Sequence, residues 1–571
     1  MRGLKRCLKA NNVILMAFSQ IALLLVVAAT AGILAKTLRQ PLIIGYLLAG
    51  IALSVFGFLS DVTVFSGMGQ IGVTLLLFLV GIEMNLKELP SIGKVAFISG
   101  IGQIILTSIV GFLIASALGF GLLPAIYTAV ALTFSSTIII VKLLSERRDS
   151  GSLYGRISIG FLLVQDFVAI LILMFLASLG DGSGSPLEFL FVGIKASVLI
   201  IATWAISKKL VPRLFSRFLA SSQELLYIAS IAWALGIAGF VAGPLGFTLE
   251  IGGFLAGIAL SGLPEHLEIA SRVRPLRDFF LTIFFLILGS KLVVGGLATV
   301  IWPSIIFSTF VLIGNPLIML AILGFMGYRR RTSFMAGLTV AQISEFSLIL
   351  MAMGLGLGHV TEQHVASIIL VAVITMTVST YLILGGDSVF ERLRVFLKLF
   401  EKKNTKEGAL LPSELIAGHV LLIGGDRTGK RVISLLQKLG APFLVVDYNP
   451  RVFNELTADR VRVLFGDISD PEILELSNII ETKLIVSTIN NLRANLNILE
   501  AVRRIEAKPK VILTAETRDE SVKYYEGGAD YVVLPQVVAG DHIRHILKTY
   551  GLGSTKITKM GKAHFNRLLK R

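Results

Sequence analysis

From Val13 to Gly386 the chain repeats one pattern, an apolar run followed by a short polar interval. Thirteen such runs can be marked, at about 13–35, 41–59, 65–84, 95–118, 122–144, 156–179, 190–208, 225–242, 246–263, 279–298, 300–326, 333–357 and 363–386. Each approaches the roughly 20 residues that a helix needs to cross a hydrocarbon core of about 30 Å. The pattern predicts a polytopic all-α membrane domain over 1–386. A charged, amphipathic stretch (Ser388–Lys403) and a Pro-containing segment follow, so 387–416 is expected to be a linker. From about 417 the period changes. HVLLIGG, PFLVVDYNP, RVLFGDI, KLIVSTINN and VILTAET read as strands, and helical stretches such as GKRVISLLQKLG alternate with them. Strands and helices alternating at this length predict a doubly wound, Rossmann-like α/β domain with a parallel sheet over 417–550, followed by a basic tail at 551–571.

Charge supports the division. Residues 1–386 hold 39 Asp, Glu, Lys and Arg, whereas the remaining 185 hold 51, so the 54% hydrophobic content averages two unlike proteins. A soluble enzyme, a secreted disulfide scaffold and a disordered chain are excluded. The net charge of +16 is spread over both halves and is explained by basic loops of a membrane protein, so no nucleic-acid partner is expected. The single cysteine, Cys7, permits neither an internal disulfide nor a Cys-based metal cage. Arg2, Lys5, Arg6 and Lys9 before an apolar run imitate a signal peptide, but no small-residue cleavage site follows and Val13–Leu34 is long enough to span. Loops after odd-numbered runs carry eighteen Lys and Arg, among them Arg147, Arg148, Arg156 and Arg329–Arg331; loops after even-numbered runs offer only Lys195 and Lys291. The positive-inside rule then puts the N-terminus outside and the C-terminal domain in the cytoplasm, outvoting the four N-terminal charges.

Charge at mid-bilayer costs about 2.5–3.5 kcal/mol, so each ionisable residue there asks for a reason. Asp166, in GFLLVQDFVAILIL, lies about ten residues from either end of its run. Such a carboxylate can trade a proton for a monovalent cation, since either neutralises it, and the Gln165 amide oxygen can replace part of a cation's hydration shell. Two polar clusters look built to meet it. ALTFSSTIII brings Thr133, Ser135, Ser136 and Thr137 into the fifth run, and GLTVAQISEFSLIL brings Thr339, Gln342, Ser344 and Glu345 into the twelfth. Hydroxyls can satisfy backbone groups freed where a helix breaks beside a cavity, and a polar break in each half of the series is the pattern of inverted-repeat transporters. Glu345 is either an ion-pair partner or a second titrating group. Glu250 and Glu83 lie near run ends and are expected to meet water. GYLLAGIAL and IGGFLAGIAL read as close helix contacts.

In the C-terminal domain the first strand ends in Gly424-Gly425-Asp426-Arg427-Thr428-Gly429. A dinucleotide fingerprint wants Gly at the first, third and sixth places, and Asp426 takes the third. Asp447 ends the second strand, where a ribose-binding acid sits. Gly424, Gly429 and Lys430 also imitate a Walker A sequence, but Arg431 replaces the Ser or Thr that would hold Mg²⁺. His542 and His545 read as ordinary residues of one helix face.

IIGYLLAGIAL, LLLFLVGIEMNLKEL, ALTFSSTIII, GFLLVQDFVAIL, IGGFLAGIAL, FFLTIFFLILGSKL and AQISEF, in order from about 43 to 346, resemble the monovalent cation:proton antiporter-2 family. They resemble its Kef-type, glutathione-regulated potassium-efflux branch in particular. The resemblance implies a homodimer in which a core domain with crossed, broken helices moves like an elevator. The family's ion-binding carboxylate falls on Asp166 and its broken-helix hydroxyls on Thr133–Thr137. Electrogenic sodium relatives carry two adjacent acids; the Gln165-Asp166 pair matches the Kef-type branch and implies K⁺/H⁺ exchange, one for one. The C-terminal domain resembles the RCK/TrkA-N regulatory domain, which implies AMP or NAD(H) held by Gly424, Gly425, Arg427, Thr428, Gly429 and Asp447, with Asp467 as a further contact. A dimerising domain without ligand is the other reading. The rival functions are a Na⁺/H⁺ antiporter, a ligand-gated K⁺ channel (no TVGYG-like filter is present) and a membrane-anchored nicotinamide oxidoreductase.

Overall fold

The computed structural model describes residues 2–56, 63–83, 93–147, 149–177, 203, 205, 223–244, 248–263, 265–290, 297–402, 417–505, 508–550, 557–562 and 565. It divides into two compact units. The first holds Met1–Leu143, Ile157–Met326 and Arg330–Phe400; the second holds Leu144–Arg156, Gly327–Arg329 and Glu401–Arg571.

The first unit is helical. Its helices are α1 (Arg2–Thr37), α2 (Leu42–Val55), α3 (Thr63–Glu83), α4 (Gly93–Ala117), α5 (Leu122–Ala131), α6 (Thr137–Glu146) and α7 (Leu153–Ala177). Then come α8 (Gln223–Ala242), α9 (Leu249–Leu260), α10 (His266–Ser290), α11 (Leu297–Thr309), α12 (Asn315–Phe325), α13 (Arg330–Leu338), α14 (Glu345–Gly356), α15 (Glu362–Leu384) and α16 (Gly386–Leu397). Among the described residues, six stretches are long and apolar enough to cross a membrane: Gln20–Thr37, Gly93–Ala117, Leu153–Leu173, Glu224–Ala242, Thr299–Phe325 and Glu362–Leu384. The expected run at 190–208 lies outside the described residues, apart from 203 and 205.

Two features depart from the sequence reading. The expected span at 279–298 begins thirteen residues earlier, at His266. That first half is charged, so hydropathy passes over it, yet Ile269, Ala270 and Val273 recur at helical spacing and pack with Leu75, Phe78 and Leu79 of α3. The fifth and twelfth runs each break into two helices, α5 with α6 and α13 with α14, where the polar clusters put the breaks. The second departure is a single π turn, Phe310–Gly314, joining α11 to α12 inside the eleventh run. The glycine-rich stretches do mark close helix crossings. A β-carbon on Gly50 of α2 would strike the Leu286 carbonyl of α10, and one on Gly257 of α9 would strike the Phe78 carbonyl of α3.

The second unit is built on a six-stranded, wholly parallel sheet in the order β3-β2-β1-β4-β5-β6. The strands are β1 (His419–Ile423), β2 (Phe443–Asp447), β3 (Val463–Phe465), β4 (Thr482–Ser487), β5 (Lys510–Thr514) and β6 (Tyr531–Val533). They alternate with α17 (Arg427–Lys438), α18 (Pro450–Ala458), α19 (Pro471–Leu476), α20 (Leu492–Arg503), α21 (Arg518–Gly527) and α22 (Pro535–Tyr550). A parallel sheet needs both faces covered. Leu421, Ile423, Leu444 and Val446 turn one way into a core with Ile485, Val511 and Leu513, whereas Leu422, Val445 and Val463 turn the other way against Ile433 and Val452. The sixth strand and the two helices around it extend the sheet beyond the strands read from sequence. The chain order reverses between β1 and β4, and ligand crevices open at such a switch point.

Candidate functional site

In the first unit the two interrupted runs leave backbone groups that no helix can pair. Side chains pair them. At the break between α5 and α6 the Thr133 hydroxyl donates to the Val130 carbonyl at 2.7 Å, and the Ser136 hydroxyl accepts from the Ile139 N–H at 3.3 Å. Asn315 of α12 donates to the Leu132 carbonyl at 3.0 Å, and the Ser347 hydroxyl of α14 donates to the Ala131 carbonyl at 2.5 Å. The break between α13 and α14 is held in the same way. Thr339 donates to the Ala336 carbonyl at 2.7 Å and Ser344 accepts the Phe346 N–H at 3.2 Å, while the side-chain Oε1 of Gln342 accepts the Ser379 hydroxyl at 2.8 Å.

Asp166 and Gln165 of α7 meet the first break. The Thr137 hydroxyl, on the first residue of α6, donates to Asp166 Oδ2 at 2.8 Å. The half-buried carboxylate therefore sits by a helix N-terminus, where peptide dipoles favour negative charge. Gln165 Oε1 accepts the Ser135 N–H at 3.3 Å. The Ser135 hydroxyl and the Gln342 amide nitrogen are buried without a hydrogen-bond partner among the described residues. A carboxylate, a free hydroxyl and unwound backbone form an oxygen-rich group suited to a hard monovalent cation, and the carboxylate alone suits a proton. Glu345, 3% exposed, takes a hydrogen bond from the Ser344 hydroxyl at 3.2 Å.

Three residues that the sequence reading passed over complete this arrangement. Gln165 Nε2 donates to Gln103 Oε1 at 2.7 Å, Gln103 Nε2 donates to the Thr107 hydroxyl at 3.1 Å, and that hydroxyl donates to Asn315 Oδ1 at 3.1 Å. With the bond from Asn315 to Leu132, a fully buried polar chain runs from α7 through α4 and α12 back to the first break. Amides in the middle of the fourth and eleventh apolar runs were the available signal.

In the second unit the switch point holds a cavity of about 380 Å³, lined by the turn after β1, the ends of β2 and β3, and residues 488–491 after β4. Gly424, Arg427, Thr428, Asp447 and Asp467 line it; Gly425 and Gly429, also expected at the site, do not, and they shape the turn instead. Gly424 holds φ +89, a β-carbon on Gly429 would strike the Gly424 carbonyl, and the Gly425 N–H donates to Asp447 Oδ2 at 2.8 Å. Asp447 also accepts the Asn449 N–H at 2.7 Å. Burial raises its carboxyl above the usual range, and the negative charge of Asp426 adds to this; the two N–H bonds and Arg156 work in the other direction. Asp426 lines the cavity from the third position of the turn, with Arg451 3.8 Å away. Lys430 points elsewhere and pairs with Glu455 at 2.6 Å, so the Walker-like spacing builds no phosphate site. His542 and His545 are exposed on α22.

The turn and the strand-end acid fit a nucleotide. Gly424 and Gly429 let the backbone approach a phosphate, and Asp447 stands where ribose hydroxyls would reach it, while Asp426 weighs against a second phosphate. Residues 23–384 match the family described as sodium/hydrogen exchanger, transmembrane, and residues 420–535 match the TrkA-N domain. The cation/proton antiporter YbaL of Escherichia coli (strain K12) is 27% identical over 539 residues, covering 92% of this chain and 96% of its own. K(+) efflux antiporter 5 of Arabidopsis thaliana is 30% identical over 399 residues, covering 68% of this chain and 69% of its own. Among solved structures, the sodium proton antiporter MjNhaP1 of Methanocaldococcus jannaschii shares the fold at a TM-score of 0.51 and 14% identity, over 68% of this chain and 98% of that one.

Proposed function

The chain belongs to the sodium/hydrogen exchanger family and ends in a TrkA-N domain, and on that premise we propose that it exchanges K⁺ for H⁺ at Asp166 under control of a nucleotide. Its named relatives are antiporters, not enzymes, and the efflux antiporters among them favour K⁺ as the cation. The observation that carries the reading is the meeting of Asp166 with the break between α5 and α6 through Thr137. In this reading Asp166 is occupied in turn by a proton and by a cation. The cation displaces the proton and takes oxygens from Asp166, Ser135 and the unwound backbone, while Gln165, held by Gln103 and Ser135, lends its shape to the site. One titrating carboxyl moves one proton per monovalent cation. Thr133 and Ser136 close the freed backbone groups, and Gln342 and Glu345 belong to the second break, where they hold Ser379 and Ser344.

The reading extends to an elevator movement of a core domain in a homodimer, as the family resemblance implies. Residues 1–386 would be the exchanger, 387–416 the linker and 417–550 the regulatory domain. The loops after the fifth and eleventh runs, which carry Arg147, Arg156 and Arg329, fold with the C-terminal unit, which supports placing them on its side of the membrane, the cytoplasmic one by the positive-inside rule. The regulatory ligand is AMP or NAD(H), with Gly424, Arg427, Thr428, Asp447 and Asp467 around it. A Na⁺/H⁺ antiporter with the same machinery is the second reading, favoured by the sodium proton antiporter fold.

The test is pH-dye dequenching in proteoliposomes with K⁺ or Na⁺ added, for wild type and Asp166→Asn. A K⁺-driven signal absent from the variant is expected. A response to Na⁺ alone would replace the cation and keep the mechanism. Undiminished proton exchange by Asp166→Asn would overturn the site.

A further inference from the structure

Residues 144–156 comprise the end of α6, the start of α7 and the connection between them, yet they fold with the C-terminal unit. Asp149, 3% exposed, receives hydrogen bonds on Oδ2 from Arg493 at 2.8 Å, Arg147 at 3.0 Å and the Tyr154 hydroxyl at 2.6 Å. Its carbonyl accepts the Ser152 hydroxyl at 2.7 Å. Two further bonds reach the walls of the cavity. The Tyr448 hydroxyl donates to the Gly151 carbonyl at 2.5 Å, and the Leu153 N–H donates to Asp467 Oδ2 at 2.8 Å. The Arg156 guanidinium lies over the Tyr448 ring, 5.1 Å from its centroid, and Gly151 and Arg156 themselves line the cavity.

Leu153 is the first residue of α7; the Ser152 hydroxyl caps the Gly155 N–H at 3.1 Å, and Asp467 adds an acidic acceptor on the Leu153 N–H. Asp166 follows thirteen residues later on the same helix, about 20 Å along it. The other oxygen of Asp467 is taken by the Ser469 N–H at 2.8 Å. A ligand that needs Asp467 or Tyr448 must therefore compete with Gly151 and Leu153 for the same atoms.

We propose that the ligand site is composite: Gly151 and Arg156 of the 149–156 segment form one of its walls, and an adenine nucleotide entering it displaces Gly151 and Leu153 from Tyr448 and Asp467, taking the acidic acceptor from the start of the helix that carries Asp166. The proposal rests on the nucleotide reading above and adds the residues through which occupancy is sensed. A ligand acts only through its different affinity for the arrangements with and without these contacts. Arg493 and Asp149 are the informative positions, because they anchor the segment without lining the cavity.

The experiment uses the full chain in lipid with AMP and NADH as probes, and reads nucleotide affinity, hydrogen exchange of the 149–156 amides and cation-driven proton exchange. In wild type, nucleotide should speed amide exchange in the segment about tenfold and change the transport rate. Arg493→Ala and Asp149→Asn should show the fast amide exchange and the nucleotide-loaded transport rate with no nucleotide present, while affinity stays within about threefold. Nucleotide that binds wild type without altering amide exchange would overturn the proposal. So would variants that keep slow amide exchange and the wild-type response, or that lose nucleotide binding altogether. If wild type binds neither probe, the nucleotide reading fails by itself. The wall contact is then judged by the variants alone, and an unchanged basal transport rate would overturn it.

Discussion

Replacing Gln103 by Leu tests whether the buried polar chain positions the ion site. Gln103 is fully buried; its oxygen accepts Gln165 Nε2 at 2.7 Å and its nitrogen donates to Thr107 at 3.1 Å. Leucine keeps the bulk and leaves the Gln165 donor without its acceptor, at a cost of about 1–3 kcal/mol for a buried group. In a bilayer, where interhelical bonds average about 0.6 kcal/mol and reach about 1.7, the lower half of that range applies. Gln165 can recover the loss only by turning, which gives up its bond to the Ser135 N–H at the first break. About 1.4 kcal/mol of lost cation binding is a tenfold rise in the K⁺ concentration for half-maximal exchange. The assay is K⁺-dependent dequenching in proteoliposomes, with a detergent melting curve to confirm folding. The cycle with Gln165→Ala should be non-additive by at least about 0.5 kcal/mol, since the two amides share one bond. A folded Gln103→Leu protein with unaltered half-saturation, or strict additivity with Gln165→Ala, would refute the positioning role.

Two further outcomes follow from the same geometry. Ser347→Ala removes the hydroxyl that ties α14 to the end of α5, and should lower stability by about 0.6–1.7 kcal/mol, read as a lower melting temperature in detergent. Asp447 has a carboxyl raised by burial, so its contribution to stability is complete below the ordinary carboxylate range and is lost as pH rises through the raised value. Asp447→Asn should flatten that pH dependence of amide opening in β1 and β2, measured by hydrogen exchange; an unchanged slope would mean that another group sets it.

Much of this architecture is local enough to be legible along the chain. Hydropathy located Gly93–Ala117 and Glu362–Leu384 because a helix in lipid satisfies its own backbone and needs only apolar side chains. The short apolar strings HVLLI and FLVVD marked β1 and β2, since strands of a parallel sheet are covered on both faces, and Asp447 ends the second strand where expected. The polar clusters at Thr133–Thr137 and Thr339–Glu345 announced the helix breaks, since four polar residues in an apolar run have few other uses. Partners remote in sequence were not legible. Gln103, Thr107 and Asn315 each look like an isolated polar residue tolerated in a span, and they become one chain only when α4, α7 and α12 pack together. The start of α10 was hidden because its charges mask an apolar stripe that matters only against α3. The adoption of residues 144–156 by the C-terminal unit depends on Asp149 meeting Arg493 across 344 residues of chain. Composition, period and charge set which elements form and where polar breaks fall, because those depend on neighbours within a turn or two. Which polar atoms share a site depends on packing between distant segments, and only the tertiary structure decided that.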